Sequence, residues 1–540
     1  MNKQIFALLI AATVIFTGCK NEDDKTVDLA GITLSQNSVY MKPGDKVTLG
    51  VTFFPSDASN QSIDWTTSAP AVATVANGVV TAVGAGYATI TATSKADNSY
   101  VQTCTVGVMS NEVKSVSGAV EGTWQMGTTI NVTDNIYVPA GKTLTIAEGV
   151  EVIFNIKTPA IEFCVEGNLY CQGSDAYPIL FSVDPTKRVP ADNAYNGFWG
   201  GITLGNTCDE ALFDHIILEY AGGASVTGAR SLSYGYKLSA GDPECAITGG
   251  KLTGKYVITN SIFRYMVDNA FYMWGGNYII NNNLIAGNGK IGGDAIAPKS
   301  GCVVDACYNI IFAPNTNGLK LSSSGEGATA PQGIQHAYNN TIINAGWRRN
   351  GDKGGSIYIE KNALVSVFNN LMVNCKFRAQ TPTWNNPNPS NGADQASIID
   401  YDFYASGSQQ STFAQDNPNF MTSYAGYTSN NANYWFTPDL VKFPGTPKVE
   451  EHAIVCASAG DATKDPKFVN YGFNTVPLGE FVYNDAWDFH VQAGSPVLTG
   501  AQSNFTGNWT GKFAAAGLTV GGKEYKSPAP SARFGALGTK

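Results

Sequence analysis

The stretch Asn339-Asn340-Thr341-Ile342-Ile343 is one of five versions of a phrase that returns between residues 256 and 378. The other four read Thr259-Asn260-Ser261-Ile262-Phe263, Asn282-Asn283-Leu284-Ile285, Tyr308-Asn309-Ile310-Ile311 and Asn369-Asn370-Leu371-Met372-Val373. Counted from the last Asn of each phrase, the steps are 23, 26, 31 and 30 residues. Repeats of this length without a helical period inside them indicate coils of β-strands stacked along one axis.

Short apolar runs that each end in a Gly or Asn turn extend this pattern towards the N-terminus. They include residues 136–146, 149–154 and 161–169. Coils stacked about 4.8 Å apart allow each backbone to pair with the next, and their inward side chains build one continuous core. An Asn at the same corner of every coil can form a ladder of side-chain hydrogen bonds. We therefore interpret the repeated Asn residues as structural.

Several phrases resemble right-handed parallel β-helix proteins of the pectate-lyase-like superfamily, in the form carried by lipoproteins of gut-type Bacteroides. The matching phrases lie at residues 177–181, 197–202, 213–222, 465–469 and 488–497. The resemblance implies a β-helix over residues 131–500, with residues 110–130 as a connector or N-terminal cap. Because this superfamily contains lyases, hydrolases and binding proteins, the resemblance predicts the fold rather than the activity.

The repeat loosens at about residues 379–464, where two Asn- and Trp-containing segments, 381–387 and 431–436, predict long loops between coils. Long loops in a compact domain are often functional. Residues 501–540 are rich in Gly, Ser and Ala. We expect them to cover or trail from the last coil, because an uncovered end would expose a free strand edge.

Residues 29–109 show a different pattern, in which apolar and polar residues alternate in short bursts separated by turns such as Lys42-Pro43-Gly44-Asp45. This pattern predicts a small antiparallel β-sandwich, with Trp65 as its central core aromatic. The order of phrases, from Gly44-Asp45-Lys46-Val47 to Ala88-Thr89-Ile90-Thr91-Ala92, resembles a group 2 bacterial immunoglobulin-like domain. Such modules imply adhesion or spacing rather than catalysis.

The first residues indicate export. Lys3 precedes an apolar run from Ile5 to Phe16, which is too short to span a membrane and reads as a signal peptide over residues 1–18. The ending Phe16-Thr17-Gly18-Cys19 resembles a bacterial lipobox, which implies cleavage before Cys19 and lipid on that residue. Residues 19–28 form a polar tether that resembles the export signal of Bacteroides-type surface lipoproteins. We expect a lipid anchor in the outer membrane, facing the cell exterior, with a periplasm-facing anchor as the alternative.

Composition narrows the remaining possibilities. Net charge is −9, and Lys and Arg are scattered without a basic, aromatic-rich patch, so we do not expect a nucleic-acid partner. Apart from Cys19, the nine Cys residues show no CxxC spacing and read as buried, reduced hydrophobes. The four His residues lie far apart without an HExxH motif. We predict no metal site and no cofactor, although a bound calcium ion remains open.

One side of the stacked coils is a candidate binding face. Alignment of the strands at residues 270–274, 295–299, 318–322 and 356–360 directs Phe271, Ile296, Leu319 and Ile357 inward. The outward columns are then Tyr272, Ala297, Lys320, Tyr358 and Trp274, Lys299, Ser322, Glu360. Aromatic rings beside polar groups suit sugars, and lysines favour an acidic polysaccharide. The candidate glycan-binding residues are Tyr272, Trp274, Lys299, Lys320, Tyr358 and Glu360.

Catalysis on the same face is the alternative. A lyase needs a base and a group that holds a uronate carboxylate, and Lys299 or Lys320 could be that base. A hydrolase needs two carboxylates about 5–9.5 Å apart, and Glu360 has only Asp294 as a distant candidate partner. Asp268, Asp294 and Glu360 read as dispersed along the sequence, without a calcium cluster. The catalytic candidates are therefore Lys299, Lys320 and Glu360.

The sequence thus predicts an all-β protein, with a small immunoglobulin-like sandwich followed by a large right-handed parallel β-helix. Its expected role is to bind glycan, or host or matrix glycoproteins, at the cell surface. A polysaccharide lyase or glycoside hydrolase is the first alternative, and an adhesive stalk without a small-ligand site is the second. Exposed, coplanar aromatics would favour a binder, whereas a lysine in a groove beside carboxylates would favour an enzyme.

Overall fold

The computed structural model describes residues 26–236, 238–350, 354–379, 392–394, 396–409, 450–502 and 511–540. In this part of the chain the regular structure is almost entirely strand, which confirms the all-β prediction. The helical elements are the short α-helix Pro190–Asn193 and the 3-10 turns Pro185–Lys187, Ser231–Tyr234, Ala462–Lys464 and Pro496–Leu498. The chain divides into two compact units, Met1–Val108 and Met109–Lys540.

The first unit is a β-sandwich. Its strands in the described residues are Gly31–Leu34, Ser38–Met41, Lys46–Thr48, Val51–Phe54, Ile63–Thr67, Ala73–Ala76, Val79–Ala82, Gly86–Ser94 and Val101–Val108. They form sheets of two, three and four strands. All pairings are antiparallel except that of Ser38–Met41 with Val101–Val108, which is parallel and departs from the predicted antiparallel pattern.

Trp65 is not the centre of the sandwich core, and that prediction is wrong. Val80, Ile90 and Val106 are fully buried, whereas Trp65 is half-buried and packs at the border of the core. The reason is its position on Ile63–Thr67, an edge strand of the four-stranded sheet. Gly78 lies against the indole, since a Cβ at Gly78 would stand 3.1 Å from Cζ2 of Trp65.

The second unit is a parallel β-helix with three ladders of strands, as the repeat predicted. The first ladder comprises Phe163–Val165, Ile202–Leu204, Ile247–Gly249, Phe271–Met273, Ile296–Pro298, Asn317–Ser322 and Gly355–Glu360. The second comprises Gly122–Trp124, Thr143–Ala147, Asn168–Gln172, Glu210–Asp214, Lys255–Thr259, Gly276–Asn281, Cys302–Cys307, Ile334–Tyr338, Leu364–Phe368 and Ile398–Ile399. The third comprises Val113–Ala119, Thr129–Val138, Glu151–Phe154, Ile179–Ser182, Ile216–Glu219, Ile262–Arg264, Leu284–Ala286, Ile310–Phe312, Thr341–Ile343, Leu371–Val373, Phe403–Ala405 and Ile454–Val455.

The repeated Asn residues form the predicted ladder at the corner between the second and third strands of each coil. Nδ2 of Asn283 donates to Oδ1 of Asn309, and the same 3.0 Å bond joins Asn309 to Asn340 and Asn340 to Asn370. Asp402 accepts the last bond, also at 3.0 Å. Each Oδ1 also accepts a backbone N–H, so these buried amides satisfy one another.

The C-terminal residues fold back along the outside of the coils. Antiparallel strands Phe468–Asn470 and Asp488–Val491 pack on the third ladder, where Phe312 is one of their contacts. A second hairpin, Leu518–Val520 with Lys523–Tyr525, packs on the second ladder. The buried carboxylate of Asp305 fixes this tail by accepting hydrogen bonds from the backbone N–H groups of Lys512 and Phe513, both at 2.8 Å, and from Oγ of Ser527.

The predictions for the signal peptide and Cys19 lie outside the described residues, as does most of the predicted loop region 379–464. The nine cysteines that the structure describes are all buried and free, as the sequence predicted. Among the described residues, none of the helices has the length and apolar character to cross a bilayer.

Candidate functional site

The predicted register of the four strands in the candidate face is confirmed. Phe271 pairs with Ile296, Ile296 with Leu319, and Leu319 with Ile357. The same pairing aligns Lys320 with Tyr358 and Ser322 with Glu360. All four strands belong to the first ladder, so their outward side chains form columns that run across coils.

The face is less exposed than alternation predicted, and its aromatic rings are not coplanar. Tyr272 and Trp274 are half-buried, and their ring planes meet at 79° with centroids 5.5 Å apart. Gly325 covers the indole, since a Cβ there would lie 3.5 Å from Cζ3 of Trp274. Ala297 and Ser322 are fully buried. The prediction of one open aromatic platform is therefore wrong, because a loop folds over the strand ends.

A cavity of about 390 Å³ opens at the same ladder instead. It is lined by Asp268, Asn269, Gly292, Gly293, Asp294, Thr316, Asn317, Lys320, Arg349, Gly354, Tyr358 and Glu360. Three of the predicted residues, Lys320, Tyr358 and Glu360, therefore meet in one place. Tyr272, Trp274 and Lys299 are not part of the lining.

Asp268 and Asp294, which read as dispersed in the sequence, also line this cavity, as does Glu360. They are dispersed in the sequence but not in space, because positions about one repeat apart lie at the same corner of successive stacked coils. Asn269, Asp294 and Asn317 form a short ladder: Oδ1 of Asn269 accepts the N–H of Asp294 at 2.6 Å, and Oδ1 of Asp294 accepts Nδ2 of Asn317 at 2.8 Å. The sequence did contain a signal for this ladder, because Asn269, Asp294 and Asn317 each stand two positions before the inward residue of their own strand.

Lys320 and Glu360 form the charged wall of the cavity. Nζ of Lys320 lies 3.4 Å from Oε1 of Glu360, which also accepts a 3.2 Å bond from Oγ of Ser322. The Lys320 ammonium lies 5.9 Å from the ring centroid of Tyr358. Burial, followed by the charge of Glu360, raises the pKa of Tyr358, so its hydroxyl stays protonated at neutral pH.

Lys299 lies one coil before Lys320, and 5% of it is exposed. Its ammonium lies 5.1 Å from the ring centroid of Tyr272, and no hydrogen bond or ion pair to the ammonium is found in the described residues. Burial, followed by the charge of Lys320, lowers the pKa of Lys299. The charges of Asp294 and Glu360 oppose this shift without outweighing burial, and a lysine perturbed in this way is a functional candidate.

The pKa of Asp268 is shifted in the opposite direction from that of Lys299. Burial, followed by the charge of Asp294, raises the pKa of Asp268 to about 6, while backbone N–H groups of Asn269 and Gly293 oppose the shift. The cavity thus contains a carboxyl that holds its proton close to neutral pH, beside a second carboxylate on the next coil. A carboxyl group whose pKa is raised towards neutral pH can serve as a general acid.

The two arginines before the last strand have different positions. Arg349 lines the cavity and donates to the carbonyl oxygen of Ile291, as an overhanging loop would require. Arg348 instead anchors the loop, because it donates to the carbonyl oxygens of Gly289 and Ala313 at 2.6 and 2.9 Å. Asp352 and Lys353, which follow them in the sequence, lie outside the described residues.

No group of three or more His, Cys, Asp or Glu side chains in the described ranges is arranged to hold a metal ion. The acids of the cavity stand beside Lys320 and Arg349, so their charges are partly balanced by side chains. The site as described can therefore bind through hydrogen bonds and charge, and Asp268 is the group in its lining that can exchange a proton near neutral pH.

Comparison with known proteins identifies the first unit. Residues 28–106 match the family model of the bacterial Ig-like domain, group 2, which confirms the immunoglobulin-like prediction for this part of the chain. The match leaves the β-helix outside its range.

Similar proteins share short segments with this chain. An Ig-like virion protein of Serratia phage KSP90 is 32% identical over 107 residues, which is 19% of this chain and 42% of the relative. A minor capsid protein of Enterobacteria phage T3 is 43% identical over 79 residues, 15% and 18% of the two chains. A 3-O-alpha-D-galactosyl-alpha-L-arabinofuranosidase of Bifidobacterium longum subsp. longum is 35% identical over 104 residues, 18% and 9%. The chain therefore spans less than half the length of each relative.

Proposed function

We propose that the β-helix binds an acidic glycan in the cavity at the first ladder. The observation that carries this proposal is the meeting of Lys320, Tyr358 and Glu360 in one cavity of about 390 Å³. That volume falls within the range of small-molecule sites, about 300–1,000 Å³. Lys320 and Arg349 would attract a uronate carboxylate, while Asp294 and Glu360 would accept bonds from sugar hydroxyls.

A panel of immobilised polysaccharides tests this proposal: polygalacturonate, alginate and hyaluronate against neutral arabinan. The protein should be retained by at least one acidic member, and Lys320→Met should abolish retention. Lys255→Met is the matched control, because Lys255 forms a similar 3.4 Å pair with Glu210 on the second ladder. Retention by none of the acidic members, or equal retention of both variants, would contradict the proposal.

Catalysis on the bound glycan is the second candidate, because Lys320 lies beside Glu360 in the cavity, which is the arrangement set out above as favouring an enzyme. The raised pKa of Asp268 favours hydrolysis. A protonated Asp268 would donate to the leaving oxygen, and Asp294 would act as base or nucleophile. The glycosidase among the similar proteins adds little, since the match covers 9% of its length. New reducing ends without ultraviolet absorbance would support hydrolysis, whereas an absorbing unsaturated product would indicate a lyase that uses Lys299 or Lys320 as base.

The same proposal includes attachment to the outer membrane through lipid on Cys19, facing outwards. The lipobox-like ending before Cys19 supports it, and the immunoglobulin-like domain would serve as the spacer between membrane and β-helix. Metabolic labelling with a radioactive fatty acid should mark the wild type and not Cys19→Ser. Protease treatment of intact cells should then digest the wild type if the protein faces the exterior.

A further inference from the structure

A second cavity, of about 400 Å³, lies on the outer side of the third ladder. It is lined by Leu180, Arg188, Pro190, Ile217, Glu219, Tyr220, Arg264, Tyr265, Tyr483 and Asp485. Leu180 pairs with Ile217 and Glu219 with Arg264, so the floor is made by three successive coils. Tyr483 and Asp485 come from the C-terminal segment that folds back along this ladder.

The two arginines of this cavity are engaged to different degrees. Arg264 is bound twice, since its Nε lies 3.0 Å from Oε2 of Glu219 and its Nη1 lies 3.0 Å from Oδ1 of Asp485. Arg188 donates through Nε to the carbonyl oxygen of Val183 at 2.8 Å, but Nη2 is buried without a hydrogen-bond partner. Glu219 does not supply the missing hydrogen-bond partner, because its Oε1 lies 3.9 Å from Nε of Arg188.

An unsatisfied guanidinium in a cavity wall is costly unless an acceptor reaches it. Asp485 is a removable partner, because 77% of its side chain is exposed while that of Arg264 is 21% exposed. An entering carboxylate could displace Asp485 from Arg264 and approach the guanidinium of Arg188, which also lines the cavity. Tyr220 and Tyr265 are buried behind the wall, so the half-buried ring of Tyr483 is the aromatic surface on which a sugar ring can stack.

We propose that this cavity is a second binding site, specific for a carboxylate-bearing sugar. Arg188 and Arg264 hold the carboxylate, Tyr483 contacts the ring, and Asp485 acts as an internal competitor for Arg264. The site stands apart from the cavity at the first ladder, so neither proposal depends on the other.

Titration calorimetry with D-glucuronate tests the site, using the full chain with Lys320→Met to weaken the first cavity. Arg188→Gln should reduce affinity at least tenfold. Asp485→Asn should increase it several-fold, a change that general loosening of the fold would not produce. Arg230→Gln is the control, because Arg230 carries the same charge and pairs with Glu166 elsewhere.

Two control ligands complete the test: D-glucose lacks the carboxylate, and acetate lacks the sugar ring. Both should bind at least tenfold more weakly than D-glucuronate. Equal binding of acetate would contradict a sugar site, and equal binding of D-glucose would contradict a carboxylate site. An unchanged or lowered affinity of Asp485→Asn, with an unchanged melting temperature, would also overturn the proposal.

Discussion

Nζ of Lys320 lies 3.4 Å from Oε1 of Glu360, across two neighbouring coils at the wall of the first cavity. A partly exposed pair of this kind contributes about 0–1 kcal/mol to stability. Its importance lies in position, because a ligand carboxylate at Lys320 must compete with Glu360. Binding and stability should therefore respond differently when residues of this cavity are changed.

Lys299→Met should raise the stability of the protein at neutral pH. The pKa of Lys299 is lowered in the folded protein. Below the usual lysine pKa the unfolded chain therefore binds this proton more strongly than the folded protein does, and protonation of Lys299 lowers the free energy of unfolding. Removal of the ammonium should therefore raise the melting temperature at pH 7, and this gain should shrink above about pH 10. Thermal unfolding across pH checks this prediction, and a neutral or destabilising effect at pH 7 would contradict it.

Asp268→Asn should stabilise the protein above pH 6 and have little effect near pH 4. The pKa of Asp268 is raised to about 6, so ionising it costs the folded state more than the unfolded chain. The free energy of unfolding of the wild type should therefore fall by about 1–3 kcal/mol as pH rises from about 4 to about 6, and it should stay level above pH 6. Asp192→Asn, at an exposed position, should show no such dependence.

Asn340→Ala should lower the free energy of unfolding of the β-helix by about 2–4 kcal/mol. The change removes the acceptor of the Asn309 side chain and backbone and the donor to Asn370, all in buried positions. Denaturant unfolding measures the loss. The exposed Asn155→Ala is the control and should change stability by less than about 0.5 kcal/mol.

Asp305→Ala should release the C-terminal tail from the second ladder. Its carboxylate accepts three hydrogen bonds from residues 512–527, so its loss leaves buried donors without partners. Limited trypsin digestion should then cut faster at Lys512, Lys523 and Lys526. Equal cleavage rates in the variant and in Asp209→Ala, an exposed acid that pairs with Lys251, would show that Asp305 does not hold the tail.

The register of the coils was predictable because the Asn phrases mark the same corner in each repeat. That marker also fixes which side chains of residues 270–274 and 356–360 point inward. It does not describe the turns, so Asp268 and Asp294 were not recognised as neighbours, although Asn269, Asp294 and Asn317 share a fixed offset from the core column.

Other features depend on contacts between distant parts of the chain. The loop around Gly325 covers Trp274, and Tyr483 reaches coils that begin more than 250 residues earlier. Periodicity within a strand carries no information about such coverage. The difference between an open aromatic face and a closed, charged cavity could therefore only come from the structure.

Titration calorimetry of tri-galacturonate with the wild type, Lys320→Met and Glu360→Gln tests the central claim most directly. We expect Lys320→Met to weaken binding at least tenfold. Glu360→Gln should bind more tightly than the wild type, because the competing carboxylate is gone. Equal dissociation constants for all three proteins, with unchanged melting temperatures, would contradict a glycan site at this cavity.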